Sequence, residues 1–469
     1  MMKRFVWIVL VLMLPLVVKA AQTDSTELVR IGRILILGNR VTQERIILRE
    51  MSLKPGDTIR RFQIKEVLDE DRTRIYNLRL FNRVYLQPAD LEPGQTDILV
   101  ELQERWYTFP VPIFELSDRN FNEWWENYKH DFSRVNYGLR LFQYNFRGRN
   151  ETLRLTARFG FSRRFDLYYR IPNLGRNQKH GLLFEMAYAE PVNLAFQTTD
   201  HILDFLNDRK PLRKTTGVSM TYSFRKSFYQ THSVEFTYDQ SSVADTIKVL
   251  NPEYFSKGAS QQWYNRFTYR FVSEHRDVVA YPLHGYQITA GISRVGLGFG
   301  DKVNQWSVAA SYAHHLEVGK DLYFSWYNSA SVTAPGDQPY AMVNGIGYRK
   351  QFLRGYEIYV IEGPFFTMNK ATLKKRIFHR ELTTAGFLAP QFNHVPFSIY
   401  LKTYADVGYA SNYPYYETRG LNNRLTDRPL AGAGFGLDLV TSYDSVIRLE
   451  YSFTSQRTSG LYIHIRKEF

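Results

Sequence analysis

Gln351-Phe352-Leu353-Arg354-Gly355-Tyr356 and Tyr404-Ala405-Asp406-Val407-Gly408 are the two segments whose residue types suggest a built polar contact. Arg354 stands beside Gly355, and glycine permits the positive φ that a tight loop tip requires. Ahead of and within the second segment, Ile399, Leu401, Ala405 and Val407 alternate with Tyr400, Lys402, Tyr404 and Asp406. A strand therefore sends the four polar side chains to one face. An arginine on a loop folded against that face could meet the Asp406 carboxylate in a bidentate, charge-assisted pair. Such a pair holds or switches a loop; it transforms no substrate.

The element that must carry Asp406 is one of many. Leu153, Leu155, Ala157, Phe159 and Phe161 alternate with Thr152, Arg154, Thr156 and Arg158, and Ile447, Leu449, Tyr451 and Phe453 with Arg448, Glu450, Ser452 and Thr454. Period two means strand. Apolar on one face and charged on the other, in segments of roughly 10 residues, is the pattern of a barrel with lipid outside and water inside. From Trp106 onward the pattern predicts sixteen strands, centred near 110, 140, 156, 167, 185, 220, 235, 267, 289, 309, 325, 370, 402, 436, 450 and 464. The number is even, as single-chain barrels require. The longer connections (117–134, 190–214, 240–262, 335–363, 411–429) fall on one end and tight turns (146–150, 317–321, 441–445) on the other. The connection 379–396 is long on the short-turn end.

Bulk properties agree. Tyr and Phe number 33 each, which suits aromatic girdles, and mean hydropathy is only −0.36 because a barrel strand offers half its residues to lipid. Net charge is +14 with no concentrated basic helix, so a hydrated basic lumen is expected and nucleic acid is not. Lys3 and Arg4, the apolar run Phe5 to Val18, and Val18-Lys19-Ala20 form a secretory signal covering residues 1–20.

Other chemistry is not signalled. G-x-S-x-G, H-E-x-x-H, a Walker loop and G-x-G-x-x-G are missing in the context each needs. His314 and His315 are strand neighbours facing opposite ways, so they do not share a metal. Cysteine is absent, which excludes a disulfide framework, a lipid-anchored cysteine and thiolate catalysis. No enzyme, cofactor or metal is expected. A hydrolase on a barrel rim would leave the folded domain ahead of the strands without a purpose.

That domain occupies residues 27–104, with the barrel following at 106–469. Val29 to Leu37 read as a strand ended by Gly38-Asn39, and Thr42 as the cap of a helix carrying Ile46, Ile47 and Met51. Lys54-Pro55-Gly56-Asp57 is a turn, Arg61 to Asn77 a second helix, and Phe81 to Gln87 and Asp97 to Gln103 two strands. This β-α-α-β-β order, with Asn-Leu-Arg-Leu-Phe before its second strand, resembles a single polypeptide-transport-associated (POTRA) domain. The Leu353-Arg354-Gly355-Tyr356 loop and the Tyr404-Ala405-Asp406-Val407-Gly408 strand resemble the (V/L)RG(F/Y) and (F/Y)xDxG motifs of the BamA/TamA outer-membrane assembly and translocation superfamily. Asn145-Phe146-Arg147-Gly148-Arg149-Asn150, Arg276-Asp277 with Pro282-Leu283-His284-Gly285, and Gly432, Gly434 and Gly436 match as well.

The resemblance implies a 16-stranded antiparallel outer-membrane barrel preceded by one periplasmic POTRA domain. It implies a lock from loop to wall through Arg354, Gly355, Tyr356, Asp406 and Gly408. Gly460, Leu461, Ile463, Ile465 and Phe469 resemble the C-terminal strand signal of barrel proteins, interrupted by Lys467. In the family this strand meets the first in a weakly paired seam that can open sideways; a fully zipped seam is the alternative. Implied partners are unfolded outer-membrane or secreted clients, outer-membrane lipids, and periplasmic or lipoprotein accessory subunits. Three functions stay open: insertion of outer-membrane proteins, secretion of one exported partner, and a passive channel or lipid-handling barrel. A single POTRA domain departs from general insertases, which carry several, and favours a specialised member.

Overall fold

The computed structural model describes residues 27–465, apart from 93, 117–134, 299, 302, 349–350 and 384–393. The signal at 1–20 and Phe469 of the C-terminal strand lie outside the described residues.

Residues 28–104 form a four-stranded sheet backed by two helices. Strands β1 (Leu28–Leu37), β2 (Thr58–Arg60), β3 (Phe81–Glu92) and β4 (Gln95–Glu104) lie in the order β2-β1-β4-β3. Helix α1 (Glu44–Leu48) and helix α2 (Arg61–Asn77) close the apolar core of Ile31, Ile46, Ile47, Ile64, Leu68, Ile75, Phe81, Ile98 and Val100. Strand β2 is absent from the sequence reading, since three residues cannot show a period. The expected cap is corrected too. Gln43, not Thr42, opens α1, and the Thr42 hydroxyl instead donates to Glu104 at 2.6 Å.

The chain then enters a 16-stranded antiparallel sheet in which each strand pairs with the next. Its first half is β5 (Thr108–Leu116), β6 (Val135–Phe146), β7 (Glu151–Gly160), β8 (Arg163–Leu174), β9 (His180–Glu190), β10 (Arg213–Arg225), β11 (Gln230–Val243) and β12 (Gln261–Glu274). The second half is β13 (Gly285–Val295), β14 (Gln305–Gly319), β15 (Leu322–Ala334), β16 (Phe365–Thr383), β17 (His394–Ala410), β18 (Leu430–Thr441), β19 (Ser445–Thr454) and β20 (Ser459–Ile465). Every expected centre falls inside its strand. Within the long connection expected at 379–396, residues 379–383 and 394–396 belong to the ladder, because β16 and β17 stay paired out to Thr383 and His394; residues 384–393 lie outside the described residues.

Outward positions form an apolar belt, with Leu155, Met186, Val218, Phe236, Val308, Leu401, Val407 and Phe435 exposed. Ring contacts flank it at both ends: Tyr137, Phe159, Phe165 and Tyr188 at one, Tyr286, Tyr312 and Trp326 at the other. This is the surface that a barrel closed in a bilayer needs. Among the described residues no ladder joins β5 to β20, so the sheet has two edges at its seam.

The N-terminal domain docks on the tight-turn end. Arg225 reaches Glu50 with both arms at 2.6 and 2.7 Å, Asn77 donates to Asp277 O at 2.9 Å, and Arg105 and Arg79 face Asp444. Gly148 lies so close to Val41 that a Cβ there would stand 2.1 Å from its carbonyl oxygen. The turn Asn145–Asn150 and the Arg276-Asp277 segment, noticed in the sequence for their motifs, are thus docking surfaces. Between domain and barrel mouth lies a cavity of about 2030 Å³, lined among others by Trp106, Tyr144, Arg154, Arg170 and Lys179. Arg225→Ala leaves the nearly buried Glu50 without its bidentate partner. It is expected to raise amide exchange across 43–50 several-fold, read by hydrogen–deuterium exchange, while the barrel strands keep their protection.

Candidate functional site

The connection 335–364 folds back against the inner wall, and its tip is Leu353-Arg354-Gly355-Tyr356. Arg354 Nε donates to Asp406 Oδ2 at 2.8 Å, its Nη2 donates to Oδ1, and its backbone N–H donates to Oδ2 at 3.1 Å. The remaining arms reach Thr372 Oγ1 at 2.9 Å and Ala371 O at 3.3 Å. The guanidinium lies 4.0 Å from the centre of the Tyr404 ring. Asp406 is 1% exposed and Arg354 6%, so water screens the pair little. A planar fork with all arms engaged is something lysine cannot reproduce.

Glycines make the seat. Gly355 adopts φ +91°, and a Cβ there would meet Thr454 Cγ2 at 2.7 Å on β19. On β18, a Cβ at Gly432 would lie 2.0 Å from Arg354 O. Gly408 makes room for Leu353, whose methyls would touch its Cβ at 3.3 Å. The Tyr356 hydroxyl meets Ser455 at 2.9 Å and donates to Ala431 O at 3.3 Å, while Tyr462 on β20 donates to Gly355 O at 3.2 Å. Four residues of loop therefore touch β16, β17, β18, β19 and β20.

A model described as "Omp85 superfamily domain" matches residues 145–469, and one for POTRA, "Surface antigen variable number repeat", matches residues 29–105. The chain belongs to the Omp85 superfamily. Barrels of this superfamily are outer-membrane proteins, and this Omp85 member carries a single POTRA domain. BamA from Haemophilus ducreyi lacking POTRA domains 1-3 is 15% identical, over 93% of this chain and 83% of that one, with a TM-score of 0.50. CdiB from Escherichia coli is 12% identical, over 93% and 75%, with a TM-score of 0.51. These likenesses establish a shared architecture. No curated protein matches the sequence.

The Omp85 barrel brings Arg354, Gly355, Tyr356, Asp406 and Gly408 into one contact set. Leu461 and Ile463 point outward from β20, beside Gly460, and β20 runs to Ile465. Sequence reading missed Thr372, which belongs to the seat, gave Leu353 only as part of the loop motif, and underused Tyr404. It also misjudged the lumen near the seat, which is packed rather than hydrated. Lys402 Nζ lies 2.7 Å from Glu450 and also binds Asp438, the Tyr281 hydroxyl donates to Asp438 at 2.9 Å, and Lys374 lies 4.5 Å from the Tyr281 ring centre. Each of these side chains is almost fully buried. Alternation reveals which residues face inward but not what lies opposite them.

The end away from the POTRA domain is covered by interlocked connections. Glu362 accepts from Tyr416 at 2.6 Å, Thr198 at 3.1 Å and Tyr348, and burial raises its carboxyl above the usual range against those three hydroxyls. His201 Nε2 accepts from Leu425 N–H at 2.9 Å, and Asn422 accepts from His201 N–H at 2.9 Å. Burial first, then Arg424, lowers the His201 imidazole to about 4, with Asp200 opposing. The folded form then binds fewer protons than the unfolded one between pH 4 and 6.5. The cap keeps this contribution above pH 6.5 and loses on the order of 2–3 kcal/mol as pH falls towards 4. Hydrogen exchange at residues 199–202 and 420–427 is expected to accelerate between pH 7 and pH 5, and His201→Gln to flatten that response.

Proposed function

We propose that this Omp85 barrel passes or inserts unfolded polypeptides at the outer membrane, with its POTRA domain in the periplasm and no enzymatic step. The observation that carries the reading is the loop tip clasping the last five strands beside a seam that shows no ladder among the described residues. An unpaired strand edge exposes N–H and C=O groups that hydrocarbon cannot satisfy, so a client strand that pairs with it gains every one of those hydrogen bonds. The seated loop supports the end of the sheet from which that edge would open.

At the other end, the POTRA strands β2 and β3 are sheet edges that suit capture of an extended client by strand addition. The cavity at the barrel mouth exceeds an ordinary small-ligand pocket of about 300–1,000 Å³ and suits a segment of chain. Residues 1–20 act as the export signal in this reading. Outer-membrane lipids surround the apolar belt, and accessory periplasmic or lipoprotein subunits would dock at the POTRA end. A specialised secretion pore is the second reading, favoured by the single POTRA domain.

Depletion followed by quantitative profiling of the outer-membrane and exported proteomes tests the proposal. Loss of several barrel proteins supports insertion, and loss of one exported protein supports secretion. An unchanged proteome leaves only a passive channel or lipid-handling barrel and overturns the proposal.

A further inference from the structure

We propose that Glu357, Glu450 and His464 bind a divalent transition metal, Zn²⁺ fitting best, that fastens the loop to the final strand. Glu357 lies on the loop just beyond the Arg354 tip, Glu450 on β19 and His464 on β20. One donor atom from each lies within 4.8 Å of the other two. His464 Nε2 stands 3.4 Å from Glu450 Oε2 and 3.7 Å from Glu357 Oε1. The companion atoms are already committed: Glu357 Oε2 accepts from Gly355 N–H at 2.7 Å, and Glu450 Oε1 faces Lys402 at 2.7 Å. The Phe352 ring stacks on His464 at 5.2 Å and fixes its plane. What remains points inward. Glu357 Oε1 and His464 Nε2 are buried without a hydrogen-bond partner, on a Glu357 side chain that is 10% exposed.

Spacing decides between a proton and a metal. A hydrogen bond from imidazolium to carboxylate closes to about 2.7–2.9 Å, and neither contact does. Ligands at 2.0–2.2 Å from a tetrahedral zinc stand about 3.4 Å from one another, close to the 3.4 and 3.7 Å separations here. One imidazole nitrogen and two carboxylate oxygens suit a borderline first-row ion, whereas Mg²⁺ and Ca²⁺ prefer oxygen alone. Among the neighbouring cations, Arg354 holds Asp406, Lys402 is shared between Asp438 and Glu450 Oε1, Arg448 faces Asp438 at 3.8 Å, and Lys370 lies 4.5 Å from the centre of the Phe352 ring. The sequence reading expected no metal here because ligands drawn from a loop and two strands make no motif.

The ion would join loop to edge strand directly, adding to the hydrogen bond from Tyr462. An occupied site then opposes the peeling of β20 from β19. The meaning of that brake rests on the client-handling reading above, but the site itself does not.

Tag-free full-length protein in detergent micelles, stripped with chelator and dialysed against Zn²⁺, tests the site by elemental analysis and hydrogen exchange. One bound zinc per chain is expected, with slower exchange in 459–465. Glu357→Gln and His464→Gln should each weaken binding more than roughly tenfold and abolish the slowing, both variants keeping the barrel's circular dichroism. No stoichiometric zinc, zinc retained equally by both variants, an equal response to Mg²⁺ or Ca²⁺, or zinc bound without any change in 459–465 overturns the proposal. Failure of the client-handling reading would instead appear as an unchanged proteome on depletion and leave the zinc stoichiometry intact.

Discussion

Arg354→Ala and Asp406→Ala are each expected to destabilise the seated loop by about 3–5 kcal/mol, because either change strands a buried charge. The double variant should cost little more than either single one, since the second removal relieves the uncompensated charge that the first created. Arg354→Lys is expected to recover little. An ammonium cannot serve both Asp406 oxygens, Thr372 and the Ala371 carbonyl at once. Thermal unfolding in detergent and hydrogen exchange over 351–362 read the loop; growth and outer-membrane barrel content read the function. Both readouts should fall further than for exposed changes in the far-end connections, such as Val249→Ser. Wild-type growth and barrel content in both single variants would remove the functional claim for this pair.

Gly432→Val tests the same seat from the wall side and leaves every charge in place. Its Cβ would lie 2.0 Å from Arg354 O, a backbone atom that cannot rotate away. The loop must lift or the strand must bow, at a cost of about 1–3 kcal/mol from overpacking alone. The expected phenotype matches that of Arg354→Ala. Gly217→Ala on β10 is the control, because the nearest atom to a Cβ there is Asp239 Oδ2 at 3.5 Å. An inactive Gly217→Ala, or a fully active Gly432→Val, would show that the seat does not matter.

Much of this fold is legible in the sequence because the strands obey a simple rule. Lipid on one side and polar contents on the other force period two, and all sixteen strand centres follow from it. The alternation around Tyr400 to Asp406 likewise placed Asp406 inside. Resemblance to a known motif, rather than spacing, joined it to Arg354. What the sequence hides is non-local. A three-residue strand has no period, and Thr42 looks like a helix cap until Glu104 takes its hydroxyl. The ladder extending to Thr383 and His394 looks like a loop because its apolar alternation fades there. The dry contacts of Lys374, Lys402 and Asp438 depend on what faces them across the lumen, and alternation carries no such information. The glycines at 432 and 408 read as family matches, and only the folded loop shows what each leaves room for.

Photocrosslinking in cells from single positions on the two sheet edges tests the central claim most directly. A photoreactive residue at Phe114 on β5 or Ile463 on β20, both outward and exposed, is expected to trap newly made outer-membrane or exported polypeptides. The same residue at Phe236 on β11, in the fully paired wall, should trap lipid alone, and Arg354→Ala should diminish the edge adducts. Edge positions that trap no polypeptide, or no more than position 236, would contradict the account.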